Sequence, residues 1–197
     1  FIHYVHDPDN PYSVSTNDIR AIYEDRTGNL WIGTNNRGLN RFDRDTRQFF
    51  RYQHDPDNPH SLSWNGINCI YEDRSGVLWI GTGNGLNKFD RNMRQFIHYY
   101  NNPDNPSDNT VLSIYEGRAG VLWIGTRGGG LNKFDWESET FTRYREKDGL
   151  PNDTVYGILE DEQGNLWLST NQGISKFNPR TKIFKNYNES DGLQGNE

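Results

Sequence analysis

Hydrophobic positions along this 197-residue chain come in short bursts that alternate with polar ones, and the bursts recur. Leu30-Trp31-Ile32-Gly33-Thr34 returns as Leu78 to Thr82, as Leu122 to Thr126 and, altered, as Leu166-Trp167-Leu168-Ser169-Thr170. An Ile-Tyr-Glu-Asp type segment precedes each tryptophan: Ile22 to Asp25, Ile70 to Asp73, Ile114 to Gly117 and Ile158 to Asp161. A Gly-Leu-Asn-Lys-Phe-Asp type segment follows it: Gly38 to Asp43, Gly85 to Asp90, Gly130 to Asp135 and Gly173 to Asn178. A Phe-x-x-Tyr segment closes each unit, at Phe49 to Tyr52, Phe96 to Tyr99, Phe141 to Tyr144 and Phe184 to Tyr187. Short runs of period two, rich in Ile, Tyr, Trp, Phe and Thr, are strands; no stretch carries the i, i+3, i+4 stripe of a helix. Glycine and asparagine fall between the runs, where turns need a positive φ. The links Asp25 to Gly28 and Asp73 to Gly76 read as tight hairpins with Gly in the left-handed position. In the third copy Gly117 replaces the leading Asp, so its hairpin lacks one side-chain acceptor.

The tryptophans stand 48, 44 and 44 residues apart. Four short strands per period of that length, repeated with an aromatic signature, predict an all-β chain of β-propeller blades. The reading is one domain over 1–197, with four blades of four antiparallel strands at approximately 18–53, 66–100, 110–145 and 154–188. Phe1-Ile2-His3-Tyr4 matches Phe96-Ile97-His98-Tyr99, which predicts one extra N-terminal outer strand over 1–5. One blade cannot bury both faces alone, so Trp31, Trp79, Trp123 and Trp167 are expected between blades. Long linkers, His6 to Asn17, His54 to Asn65, Asn101 to Asn109 and the shorter Lys147 to Asp153, join each blade to the next. They share one end of the fold with the turns between the second and third strands.

The ordered motifs Asp-Arg-x-Gly-x-Leu-Trp-Ile-Gly-Thr, Gly-Leu-Asn-Arg/Lys-Phe-Asp and Asp-Pro-Asp-Asn-Pro resemble the two-component regulator propeller repeat. The resemblance covers essentially the whole chain, and Asp191 to Glu197 is similar to a segment leading into a later blade. It implies a non-catalytic sensor module from the periplasmic or extracellular part of a bacterial hybrid two-component system. The family's membrane helix, kinase and response regulator are not in this sequence. The alternative is a structural repeat scaffold that self-associates without a specific small-molecule ligand.

Composition sharpens this picture. Only 32% of the residues are hydrophobic, yet 14% are aromatic, which separates the chain from disordered segments. A net charge of -6 with interspersed signs argues against nucleic acid. No apolar run approaches a membrane span, and no targeting leader is evident. A first residue Phe1 suits a processed or excised segment. Cys69 is alone and is expected as a small buried apolar residue.

Asp7-Pro8-Asp9-Asn10-Pro11 and Asp55-Pro56-Asp57-Asn58-Pro59 hold too few oxygens for calcium and read better as Asx turns stiffened by proline. His3, His6, His54, His60 and His98 lack metal-ligand spacing, so no metal or cofactor is expected and surface roles are assigned to them. Glu24, Glu72, Glu116 and Glu160 recur in every blade, the mark of a structural rather than a catalytic role. The informative positions are those where copies differ. One linker position reads Thr16, Trp64, Asp108 and Asn152, and the turns read Asn35-Asn36-Arg37, Gly83-Asn84, Arg127-Gly128-Gly129 and Asn171-Gln172. Arg37, Trp64 and Arg127, with Asn36, Asn65, Asn84 and Asn171, are therefore the expected ligand-binding set. An aromatic platform with amide and guanidinium donors suits an oligosaccharide; packing of Trp64 against Pro59 or a neighbouring loop is the alternative. Strand counting further predicts a homodimer forming an eight-bladed ring, with one terminal strand displaced or exchanged. A four-bladed monomer closed by Phe1 to Tyr4 is the other solution.

Overall fold

A computed structural model describes residues 1–100 and 109–195. The expectation for the linker at Asp108 lies outside the described residues. Among the described residues, sixteen strands form four antiparallel four-stranded sheets, each in sequential order, as β-propeller blades require. Blade 1 comprises β1 (Ile19–Glu24), β2 (Leu30–Thr34), β3 (Leu39–Asp43) and β4 (Gln48–Tyr52). Blade 2 comprises β5 (Ile67–Glu72), β6 (Leu78–Thr82), β7 (Gly85–Asp90) and β8 (Gln95–Tyr99). Blade 3 comprises β9 (Val111–Glu116), β10 (Leu122–Thr126), β11 (Leu131–Asp135) and β12 (Thr140–Tyr144). Blade 4 comprises β13 (Val155–Glu160), β14 (Leu166–Thr170), β15 (Gly173–Asn178) and β16 (Ile183–Tyr187). The chain divides into two compact units, Phe1–His98 and Tyr99–Glu197.

In the first unit the alternation of each strand becomes a sandwich of two blades. Trp31 is 1% exposed and points from β2 at blade 2, its ring edge-on to Phe89 at 5.2 Å. Leu62, Ile67, Ile80 and Phe96 complete this core. Gly33 permits the close approach, because a Cβ there would lie 2.5 Å from Ile67 Cγ2. The hairpin before the tryptophan explains its leading aspartate. Asp25 Oδ1 accepts the N–H groups of Thr27 (3.0 Å) and Asn29 (2.9 Å), while Oδ2 accepts Trp31 Nε1–H at 2.8 Å. Gly28 follows at φ 82°, the left-handed value the turn demands. Burial pushes the Asp25 carboxyl up, but hydrogen bonds from Thr27, Trp31, Arg91 and Asn29 outweigh it and hold the group well below the usual carboxylate range.

The second unit repeats the arrangement. Trp123 is edge-on to Phe177 at 5.9 Å, within a core that includes Leu131, Val155, Leu166 and Leu168. Cys69, on β5 of the first unit, is a free thiol that is half-buried rather than fully buried, and burial pushes its pKa up to about 12.

The expected extra strand is corrected. Phe1 to Tyr4 carries no strand and is exposed. An outer strand pairs with the third strand of its own blade, and residues 1–18 contain no such strand. Tyr4 packs edge-on to Phe42 (4.9 Å) and Phe49 (5.7 Å) of blade 1. Tyr52 stands in the same relation to Phe89 (5.4 Å) and Phe96 (5.7 Å) of blade 2.

Candidate functional site

The linkers are held by buried polar anchors. Asn40, fully buried on β3, accepts Ser15 N–H at 3.0 Å and donates to Ser15 Oγ at 2.9 Å; Asn87 repeats both bonds with Ser63. The Asp-Pro-Asp-Asn-Pro runs are Asx turns. Asp7 Oδ1 accepts Asp9 N–H at 3.0 Å and Asn10 Oδ1 accepts Tyr12 N–H at 2.9 Å, and Asp55 and Asn58 do the same in blade 2. His3 and His60 are exposed, as a surface role implies, but His6 and His54 are tied in more closely. His6 Nδ1 lies 2.9 Å from the Val14 carbonyl and His54 Nδ1 2.7 Å from that of Leu62. A carbonyl can only accept, so both rings donate from Nδ1. No cluster able to hold a metal ion occurs among the described residues.

These anchors bring linkers and turns together at one end of each unit. Gly38 N–H donates to the Asn65 carbonyl (2.9 Å), joining the first turn to the second linker, and Gly130 N–H donates to Asp153 (2.8 Å) in the second unit. Trp64 lies where two turns meet. A Cβ on Gly83 would fall 2.9 Å from its Cδ1, and one on Gly66 would lie 3.4 Å from Cδ1 and 2.9 Å from the Asn35 carbonyl. The indole thus rests on a glycine shelf, beside the His54 ring at 6.1 Å, and remains 52% exposed. Loop packing and an open aromatic face coexist in one residue.

Five of the seven sequence-predicted residues, Asn36, Arg37, Trp64, Asn65 and Asn84, fall on this linker-and-turn end of the first unit. Asn36 and Arg37 are exposed, and Asn84 is half-buried. Asn65 has a structural duty as well, since its Oδ1 accepts His54 N–H at 2.8 Å. Arg127 and Asn171 occupy the corresponding turns of blades 3 and 4 in the second unit, Arg127 exposed and Asn171 half-buried. There Arg145 clamps the shorter linker, donating to the Gly128 carbonyl (2.7 Å) and pairing with Asp153 (3.1 Å).

One feature was not legible from the repeats. A hollow of about 270 Å³ is lined by His6, Pro8, Ser15, Arg37, Arg51 and Gln53. It gathers two guanidinium groups, an imidazole and an amide, and no carboxylate lines it. Arg51 is partly engaged, donating to the Ser13 carbonyl at 2.8 Å. The lining comes from a linker, a turn and an outer strand, so only folding assembles it.

Two of the recurring carboxylates serve joints between blades, whereas Glu24 is exposed and pairs with Arg44 of its own blade. Glu72 Oε2 accepts Arg26 N–H at 2.8 Å, and Glu160 Oε2 accepts Arg118 N–H at 2.7 Å. Both bonds cross from one blade to its neighbour within a unit.

The sequence model of the two component regulator propeller matches the chain at residues 13–36, 61–84, 105–128 and 149–172. Among solved structures, the chain is similar to the extracellular domain of the hybrid two component system BT4673 of B. thetaiotaomicron. Identity is 34% and the TM-score 0.76, over 91% of this chain and 26% of that one. The corresponding domain of BT3049 from the same organism is 28% identical with a TM-score of 0.79, over 92% of this chain and 25% of that one. The chain therefore spans about a quarter of the length of these relatives. Virginiamycin B lyase from Staphylococcus aureus, at 18% identity and a TM-score of 0.67 over 93% of this chain and 59% of that one, shares the fold. No curated protein matches the chain. No helix among the described residues is long and apolar enough to cross a membrane.

Proposed function

The chain is made of two-component regulator propeller repeats, and from that premise we propose that it is a ligand-reading segment of a sensor region outside the cytoplasm. The ligand class that fits is an oligosaccharide, neutral or acidic, bound at the linker-and-turn end. The observation that carries this reading is Trp64, a half-exposed indole on a glycine shelf between two turns. An aromatic face covers the apolar face of a sugar ring, and Arg37, on the turn whose Gly38 N–H donates to the Asn65 carbonyl, offers with the turn amides donors to its hydroxyls or carboxylate. The similarity to extracellular domains of hybrid two-component systems supports the sensor role. A non-catalytic reading is supported by the carboxylates Glu72 and Glu160, which hold backbone N–H groups at the joints rather than facing a cleft.

Calorimetric titration against a panel of neutral and uronate-containing oligosaccharides tests the proposal. Trp64→Ala is expected to weaken binding about thirtyfold, a hot-spot loss of ~2 kcal/mol, with unchanged folding. Binding that is indifferent to Trp64→Ala and Arg37→Ala would contradict the site. Absence of binding to the whole panel would favour the scaffold reading.

A further inference from the structure

The outward face of blade 1 is an unfilled copy of a joint that the chain makes elsewhere. Val14, Ile22, Leu30, Ile32, Phe42 and Phe49 line an apolar groove of about 400 Å³. On blade 2 the matching face is covered by Trp31 and Tyr52, and Ile70 there is 9% exposed, whereas its counterpart Ile22 is 67% exposed. The polar edge is duplicated too. Arg44 pairs with Glu24 at 2.8 Å, both more than half exposed. On blade 2 the same two positions, Arg91 and Glu72, reach the Asp25 carboxylate and the Arg26 N–H of the preceding blade. What the groove receives is therefore defined: a sheet face bearing a second-strand Trp, an outer-strand Tyr and an Asp-led hairpin.

Blade 4 carries that face outward. Trp167 stacks on Tyr187 with centroids 5.6 Å apart, and its Nε1–H donates to Asp161 at 3.1 Å. Leu159 beside it is 66% exposed. We propose that blade 4 of a second copy of this chain seats on the blade 1 groove, a head-to-tail contact in which Trp167 and Tyr187 repeat the placement of Trp31 and Tyr52. Tyr4 already holds the tyrosine position on Phe42 and Phe49, so residues 1–5 leave as the partner copy's tyrosine enters. Two copies supply eight blades, inside the four-to-eight range of propellers. A heterologous contact of this kind closes or propagates according to its rotation. The seat is looser than the internal joints. Ser169 stands where Gly33 lets Ile67 approach, and the small partner has moved to the opposite strand as Gly157.

Sedimentation velocity of the full chain over a wide concentration range tests this. The expected result is a reversible rise from 23.0 kDa to twice that mass, reached at lower concentration once residues 1–5 are removed. Ile22→Asp and Trp167→Ala are each expected to weaken association at least tenfold with the fold retained in circular dichroism. An equimolar mixture of the two variants restores pairing, because each retains the half the other lost. A mass of 23.0 kDa at every concentration, with or without residues 1–5, would overturn the proposal. So would a Trp167→Ala chain that pairs by itself as the native chain does, since that contact would join two blade 1 faces.

Discussion

The joint between blades 1 and 2 and the joint between blades 3 and 4 are two versions of one design, and they differ at a matched pair of positions. In the first, Arg91 Nη1 reaches Asp25 Oδ2 at 2.7 Å and Nη2 reaches Glu72 Oε1 at 2.8 Å, with both carboxylates almost wholly buried. In the second, Gly117 stands in place of Asp25 and Pro179 in place of Arg91. Both members are absent together. A buried aspartate without its arginine would be an uncompensated charge, which costs more than the pair contributes. Two things are kept: the Trp-on-Phe contact, and the glutamate that accepts a backbone N–H across the joint, Glu72 to Arg26 and Glu160 to Arg118. The aromatic contact and that one hydrogen bond define the joint. The ion pair is an addition to it.

Truncating the tryptophans probes the shared part and has the largest expected effect. Trp31→Ala is expected to cost about 5 kcal/mol and Trp123→Ala about 4 kcal/mol in urea unfolding, because only Trp31 also leaves an aspartate oxygen without its indole donor. Trp167→Ala, at the outward face of blade 4, is expected to cost only about 1 kcal/mol in the monomer; a loss equal to that of Trp31→Ala would break the argument that neighbours, not position in the repeat, set the energy.

Arg91→Ala comes next, at about 3 kcal/mol, since it strands Asp25 and part of Glu72. The reverse experiment transplants the pair. A Cβ on Gly117 would lie 3.5 Å from Glu160 Oε2 and from Trp123 Nε1, an ordinary contact that admits a side chain at this position. Gly117→Asp alone is expected to destabilise by about 1–2 kcal/mol through repulsion with Glu160, and Pro179→Arg in the same chain to recover most of that loss. Pro179→Arg stabilising the native chain as much as it stabilises the Gly117→Asp chain would mean that the arginine does not depend on the aspartate.

The smallest effect is in acid. The Asp25 pKa is depressed in the folded state, so its contribution is complete above the ordinary carboxylate range and fades as pH falls toward the folded value. The native chain is expected to lose stability on acidification more steeply than Asp25→Asn, measured as urea midpoints between pH 7 and pH 3. Parallel slopes would remove Asp25 from the account.

The strands and the buried tryptophans were legible because each repeat restates the same alternation, so a reading error in one copy is corrected by three others. The terminal segment was misread for the same reason. Phe1 to Tyr4 has the sequence of an outer strand, but a strand exists only with a partner beside it. The Asp25–Arg91 pair spans 66 residues, and nothing local says that the residue after β7 touches the hairpin before β2. Gly117 was visible as a missing acceptor; that Pro179 matches it in space was not. At the candidate site, Trp64 stood out by divergence, and Gly83 opposite it was a readable signal for a side chain needing space. The hollow bounded by His6, Arg37, Arg51 and Gln53 joins a linker, a turn and an outer strand, and no sequence interval contains it.

The claim that the joint's ion pair is an addition whose members depend on each other is tested most directly by a double-mutant cycle on Asp25→Asn and Arg91→Ala, read as urea unfolding free energies. The expected coupling is about 2 kcal/mol, with the double variant scarcely less stable than Arg91→Ala alone. Strictly additive losses would show two independent contributions and contradict the account.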